Sequence, residues 1–139
     1  MLNLLRKELR LAVHPTSWLF LGLSLMLLIP SYPYYVAFFY TGLGIFFTCL
    51  SARENQDISY MLLLPLPKHD VVRARFVSSM LMELLQVATA AFTLVLHHFL
   101  IQTSNPVGMD ANIALLGLAL VELGLFNLVF FPLYYKNPQ

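Results

Sequence analysis

The sequence predicts an all-α integral membrane protein: an N-terminal interfacial amphipathic helix, then four transmembrane helices, with both termini cytoplasmic. Of 139 residues, 59% are hydrophobic and 11% charged, less than half the ~25% charge of a domain whose surface must face water. The mean hydropathy is +0.74. Polar residues concentrate in one long interval, residues 51–76, and all eight Lys and Arg fall on one predicted face.

In chain order, residues 2–13 (LNLLRKELRLAV) read as a short amphipathic helix. Asn3, Arg6, Lys7, Arg10 and His14 recur three or four apart, with Leu2, Leu5, Leu9 and Ala12 on the other side. Such a helix lies in the membrane interface, cations toward lipid phosphates, or extends the first span into the cytoplasm. Pro15 ends this segment (1–14), because it lacks an N–H and disfavours helix at His14. Proline is tolerated in the first turn of a helix, so the next one can begin there.

Residues 16–50 hold spans one and two. The first apolar run, Trp18 to Ile29, is short: even from Thr16 it reaches roughly 21 Å as a helix, against a core of about 30 Å. Tyr34 to Leu50 is long enough to cross. Pro30-Ser31-Tyr32-Pro33 between them is an uncharged turn beside Tyr34 and Tyr35, which favour the headgroup level. A re-entrant hairpin is the alternative, and it also returns the chain to its starting side.

Residues 51–75 form the cytoplasmic loop, 76–131 hold spans three and four, and 132–139 are the tail. Span three, Phe76 to Ile101, contains Glu83 and ends near His97 and His98. Gln102 to Asn112 is a turn-rich loop. Span four, Ala111 to Phe131, carries Glu122 and Asn127, and Pro132 ends it. Arg6, Lys7 and Arg10 precede span one; Arg53, Lys68, Arg73 and Arg75 lie between spans two and three; Lys136 comes after span four. The positive-inside rule assigns that face to the cytoplasm of a multi-pass cell-membrane protein.

The loop has three parts. Glu54 to Leu63 reads as an amphipathic helix with Ile58, Met61 and Leu62 on one face. Leu64-Pro65-Leu66-Pro67 breaks it. A new helix then starts with Asp70 in its first turns, where a carboxylate suits the positive end of the helix dipole, and runs through Val72 and Arg75 into span three.

Intramembrane Glu83, Glu122 and Asn127 are the polar candidates, since a charge near the bilayer centre costs about 2.5–3.5 kcal/mol and must face helices or water. They line a path or a dimer interface, or else they are carboxyls bonded to a neighbouring helix. Gly42 and Gly44, and Gly117 and Gly124, are the small residues that ease helix approach. The net charge of +1 gives no reason to expect nucleic acid. One cysteine, Cys49, makes no internal disulfide. No metal-ligand spacing and no nucleophile–base set occurs, so no catalytic or metal residue is assigned. No phosphate-binding loop occurs either, so any ATP must be bound by another chain.

The run LLLPLPKHDVVRARF resembles a segment of the permease subunits of type-2 ATP-binding-cassette exporters, through Leu64, Pro65, Lys68, Asp70, Val72, Arg75 and Phe76. Pro67 departs from it, standing where that family usually carries a capping Ser or Thr. LLRKELR, Glu54 and FPLYYK extend the likeness. The resemblance implies a permease that couples hydrolysis by a separate cytoplasmic ATPase to substrate efflux, with ATP and Mg on that partner and none in this chain. It also implies a second permease chain, as homo- or heterodimer. Glu54 to Leu63 would be the coupling helix, with Ile58, Met61 and Leu62 as groove anchors. Family members usually run to about six spans, so this chain is expected to be a truncated or shortened version. The rival readings are a four-span proton-coupled drug transporter, which would use Glu83 or Glu122, and a non-transporting accessory protein.

Overall fold

The computed structural model describes residues 2–100, 106–108 and 110–136, all in helices and short connections. Residues 1, 101–105, 109 and 137–139, parts of the predicted N-terminal segment, end of span three, outer loop and tail, lie outside the described residues. α1, Leu2–Lys7, widens into a π-helical turn, Glu8–Ala12. After the break at Val13–His14, α2 spans Pro15–Gly22 and tightens into a 3-10 segment, Leu23–Leu28. α3 is Tyr35–Glu54, α4 Asp57–Leu63, α5 Lys68–Leu100 and α6 Ile113–Lys136.

α3, α5 and α6 are each long and apolar enough to cross a membrane, and the chain reaches four spans if the N-terminal pair counts as one. Asn3–Ala12 meets Pro15–Leu28 at a bend of 80°. His14 makes the corner: its backbone is extended, its ring accepts from the Thr16 amide, and its own N–H bonds Thr48 Oγ1 at 3.0 Å. The 3-10 stretch rises more per residue than an α-helix, so Pro15–Leu28 reaches roughly 24 Å, still short of the bilayer core.

Small residues set the crossing of α2 on α3. A Cβ on Gly44 would stand 3.2 Å from the Ser17 Cα, and Ser17 Oγ donates to the Gly44 carbonyl at 2.9 Å. Gly42 admits the Phe126 ring from α6, whereas Gly117 and Gly124 face open space. The first glycine pair eases packing as expected; the second eases no packing among the described residues.

Two apolar clusters close the bundle. One joins Leu27, Tyr34, Phe38, Leu94 and Leu115; the other joins Ile45, Cys49 and Phe131, with Tyr134 and Tyr135 against it. Between them α5 turns a polar face inward. Ser78, Ser79, Glu83, Gln86 and Thr93 are buried, while Leu81, Leu84, Leu85, Phe92 and Val95 face out. This inversion of the soluble pattern suits a helix bathed in lipid. His97 is buried beside Tyr34, 3.4 Å from its hydroxyl, and His98 is exposed.

Two boundaries differ from the sequence reading. α3 carries on through Glu54, because nothing breaks the helix before Asn55 and Gln56, and Gln56 takes the left-handed conformation (φ 51°). The loop helix therefore starts at Asp57, and Glu54 is the last residue of α3. Pro132 does not end the fourth span, and residues 133–136 stay helical. Proline costs one backbone bond there, but Phe130 stacks on Tyr134 and Phe131 on Tyr135, one turn apart, and these pairs hold the final turn.

Candidate functional site

Five elements meet at one end of the bundle around a buried guanidinium. Arg75, on the second turn of α5, is 3% exposed. Its Nε donates to Glu8 Oε2 at 3.0 Å and its Nη2 to Glu8 Oε1 at 3.3 Å, a two-pronged contact that fixes orientation as well as charge. Nη2 also donates to Asp57 Oδ2, and Nη1 to the Tyr134 hydroxyl at 3.2 Å. That hydroxyl donates in turn to the Cys49 carbonyl at 3.3 Å. Lys7 Nζ completes the set, 2.7 Å from Asp57 Oδ1 and 3.2 Å from Glu8 Oε1. Two cations and two carboxylates thus neutralise one another where α1, α4, α5, α6 and α3 converge.

Local sequence explains each placement. Glu8 is the carboxylate on the otherwise apolar inner side of the N-terminal helix, near Leu5, Leu9 and Ala12, and is 1% exposed. Asp57 opens α4, where the helix dipole favours negative charge. Burial alone would raise the Asp57 carboxyl. The Lys7 hydrogen bond and the positive charges of Arg75 and Lys7 outweigh it, holding the group below its ordinary value of 3.8.

The predicted loop residues divide between inside and outside. Met61 is 7% exposed and packs inward, so it is not an outward anchor, and Ile58 is half-buried beside it. Arg75 is enclosed by Glu8 and Asp57 and is no surface contact. The face that α4 presents outward is Tyr60 at 66% exposure, with Leu62 and then Leu63 at 82%. Leu64, Pro65, Lys68 and Val72 are exposed and Asp70 is half-buried. α5 starts at Lys68 directly after Pro67, whose carbonyl accepts the Asp70 amide at 2.9 Å.

Within the membrane, the structure brings Asn127 Nδ2 to Glu83 Oε2 at 2.7 Å and leaves Glu122 apart from both, on a groove between α3 and α6. Sequence reasoning missed Glu8, Lys7 as a partner, Asp57 and Tyr134. The available signal was the lone acid on the apolar side of a cationic helix, which requires a buried counter-charge.

Apolar spans of this length joined at one charged, multi-element end define a membrane-embedded helical protein. A family model described as ABC-2 family transporter protein matches residues 3–139, and the chain belongs to that family. It is a permease-like membrane component of an ABC transporter. Such membrane subunits typically lack a catalytic site of their own, and membership implies association with a cytoplasmic ABC ATPase. No curated protein and no solved structure matches the chain.

Proposed function

We propose that this chain is the permease subunit of an exporter, in which α4 docks into a separate ATPase and the Arg75 cluster carries its displacement into the spans. The observation that supports this reading is the two-sidedness of α4. Its inner side is tied by Asp57 to Lys7 and Arg75, while Tyr60 and Leu63 stand exposed at the i, i+3 spacing of helix-in-groove anchors, with Leu64 exposed in the extended residue that follows the helix. Leu62, Pro65, Lys68, Asp70 and Val72 continue the contact surface toward α5, and Glu54 flanks it.

A push on α4 then acts through Asp57 on Arg75, and through Arg75 on Glu8 and Tyr134, so α1, α5 and α6 receive it together. ATP and Mg are held by the ATPase, and a second permease chain completes the membrane unit. The cationic residues on and beside this end support a cytoplasmic placement for it, with both chain termini on the same side.

Co-purification with the co-expressed ABC ATPase subunit tests the docking. Tyr60→Asp combined with Leu63→Asp is expected to abolish it, and Met61→Leu to leave it intact. Undiminished recovery of the ATPase with the double aspartate variant refutes α4 as the docking helix.

A further inference from the structure

A half-open groove of about 310 Å³ runs between α3 and α6, lined by Phe38, Phe39, Phe46, Phe126, Gly42 and Glu122. That volume is at the lower end of the range that takes drug-sized ligands. The missing side chain of Gly42 shapes it: a Cβ there would stand 3.3 Å from the Phe126 ring. Phe126 is itself held by stacking on Phe130, centroids 4.9 Å apart and planes at 12°.

Glu122 is the one acid on α6, and that helix's one base, Lys136, lies fourteen residues further on, roughly 21 Å along the axis. Glu83, the other intramembrane acid, is engaged by Asn127. Glu122 is half-buried, and among the described residues its carboxylate has no hydrogen-bond or ion-pair partner. An uncompensated carboxylate in hydrocarbon is unfavourable. A cation beside it removes that cost, and surrounding phenyl faces add cation–π attraction. The depth narrows the choice. Glu122 lies in the middle part of α6, where a lipid amine tethered to its phosphate does not reach, whereas a cation with its own apolar shell does.

We infer that the α3–α6 groove is a binding site for a lipophilic monocation, with Glu122 as its counter-charge and Gly42 as the residue that keeps it open. Equilibrium binding of radiolabelled methyltriphenylphosphonium to the purified chain in zwitterionic nanodiscs tests this. No ATPase or nucleotide is present, so the outcome is separate from that of α4 docking. Saturable binding is expected, weakened about tenfold or more by Glu122→Gln through loss of the ion pair. Glu122→Asp should retain it, and Glu83→Gln should leave it unchanged. Gly42→Leu should weaken it by filling the groove, and the uncharged carbon isostere of the probe should bind equally to wild type and Glu122→Gln. Absence of saturable binding, or equal binding by wild type and Glu122→Gln, overturns the site. So does spontaneous disulfide cross-linking of Phe39→Cys between two copies in a preparation that binds no probe, which would make the groove a chain–chain contact.

Discussion

Replacing Arg75 by methionine is the sharpest perturbation of the Arg75 cluster, the joint between α1, α4, α5 and α6. The guanidinium neutralises two carboxylates, but they do not lose equally. Asp57 keeps Lys7 at 2.7 Å, whereas Glu8, 1% exposed, keeps only the longer contact to Lys7 at 3.2 Å. Breaking a buried pair by removing one partner typically costs 3–5 kcal/mol, most of it the stranded charge. With Lys7 still in place, the lower end applies, about 3 kcal/mol. Adding Glu8→Gln to Arg75→Met removes the stranded charge and should recover more than half of the loss, since an apolar or neutral replacement of a whole buried pair is often nearly neutral. The assay is a double-mutant cycle on unfolding of the purified chain in detergent. Additive losses, or a loss below about 1 kcal/mol for Arg75→Met, the range of an exposed pair, would refute a buried, energetically coupled cluster.

Other expectations rest on single contacts. Asp57 titrates below its ordinary value of 3.8 in the folded chain, so its contribution is fully present above that pH and is lost as pH falls through the lower folded value. The stability gap between wild type and Asp57→Asn should therefore be constant at neutral pH and close only below about pH 4, in melting curves taken across pH. Gly44→Ala places a methyl 3.2 Å from the Ser17 Cα and 3.3 Å from the Phe20 ring; since the Ser17 backbone cannot swing aside as a side chain can, it should cost about 1–3 kcal/mol in detergent unfolding. Gln56→Gly relieves the left-handed strain at φ 51° and should be neutral or stabilising by up to about 1 kcal/mol, whereas Gln56→Val should destabilise. Gln86 is buried with both amide atoms unpartnered among the described residues. Gln86→Leu should raise unfolding stability by about 1–3 kcal/mol.

What was legible came from periodicity and composition. The apolar runs gave α3, α5 and α6, Pro15 gave the break after the N-terminal helix, and Pro65 and Pro67 placed the start of α5. The joint was not legible, because Arg75 finds Glu8 and Asp57 across 67 and 18 residues, and one sequence carries no record of such pairings. Helical spacing grouped Ile58, Met61 and Leu62 on one face of α4, yet Met61 is buried and Leu62 exposed, and spacing could not say which side faced the bundle. That depends on Asp57 being captured by Lys7, which turns Met61 inward and leaves Tyr60 and Leu63 outside. The persistence of helix past Pro132 was missed for a similar reason: the prolyl break is local, but the Phe130–Tyr134 and Phe131–Tyr135 stacks that outweigh it are read only with the last turn in place.

At 33 residues, α5 is roughly 50 Å long, well beyond the ~30 Å hydrocarbon core, so its first turns stand clear of it and Arg75 sits about 10 Å from its start. Roughly two to three turns further along α5 lie Glu83 and Gln86, with Asn127 of α6 bonded to Glu83; Glu83 Oε1, both amide atoms of Gln86 and Asn127 Oδ1 are buried without partners among the described residues. Natural interiors rarely leave such groups unmet; Glu83 and Asn127 share one hydrogen bond across the α5–α6 contact and each keeps one oxygen unmet, whereas Ser17 and Gly44 are directly bonded where α2 crosses α3. Elements that move are drawn from the weakly stabilised part of a fold. If α4 docks as proposed, a displacement delivered at Arg75 is expected to meet the bonded Ser17–Gly44 crossing on the α2–α3 side and the incompletely satisfied Glu83–Asn127 pair on the α5–α6 side, where the bundle should give way.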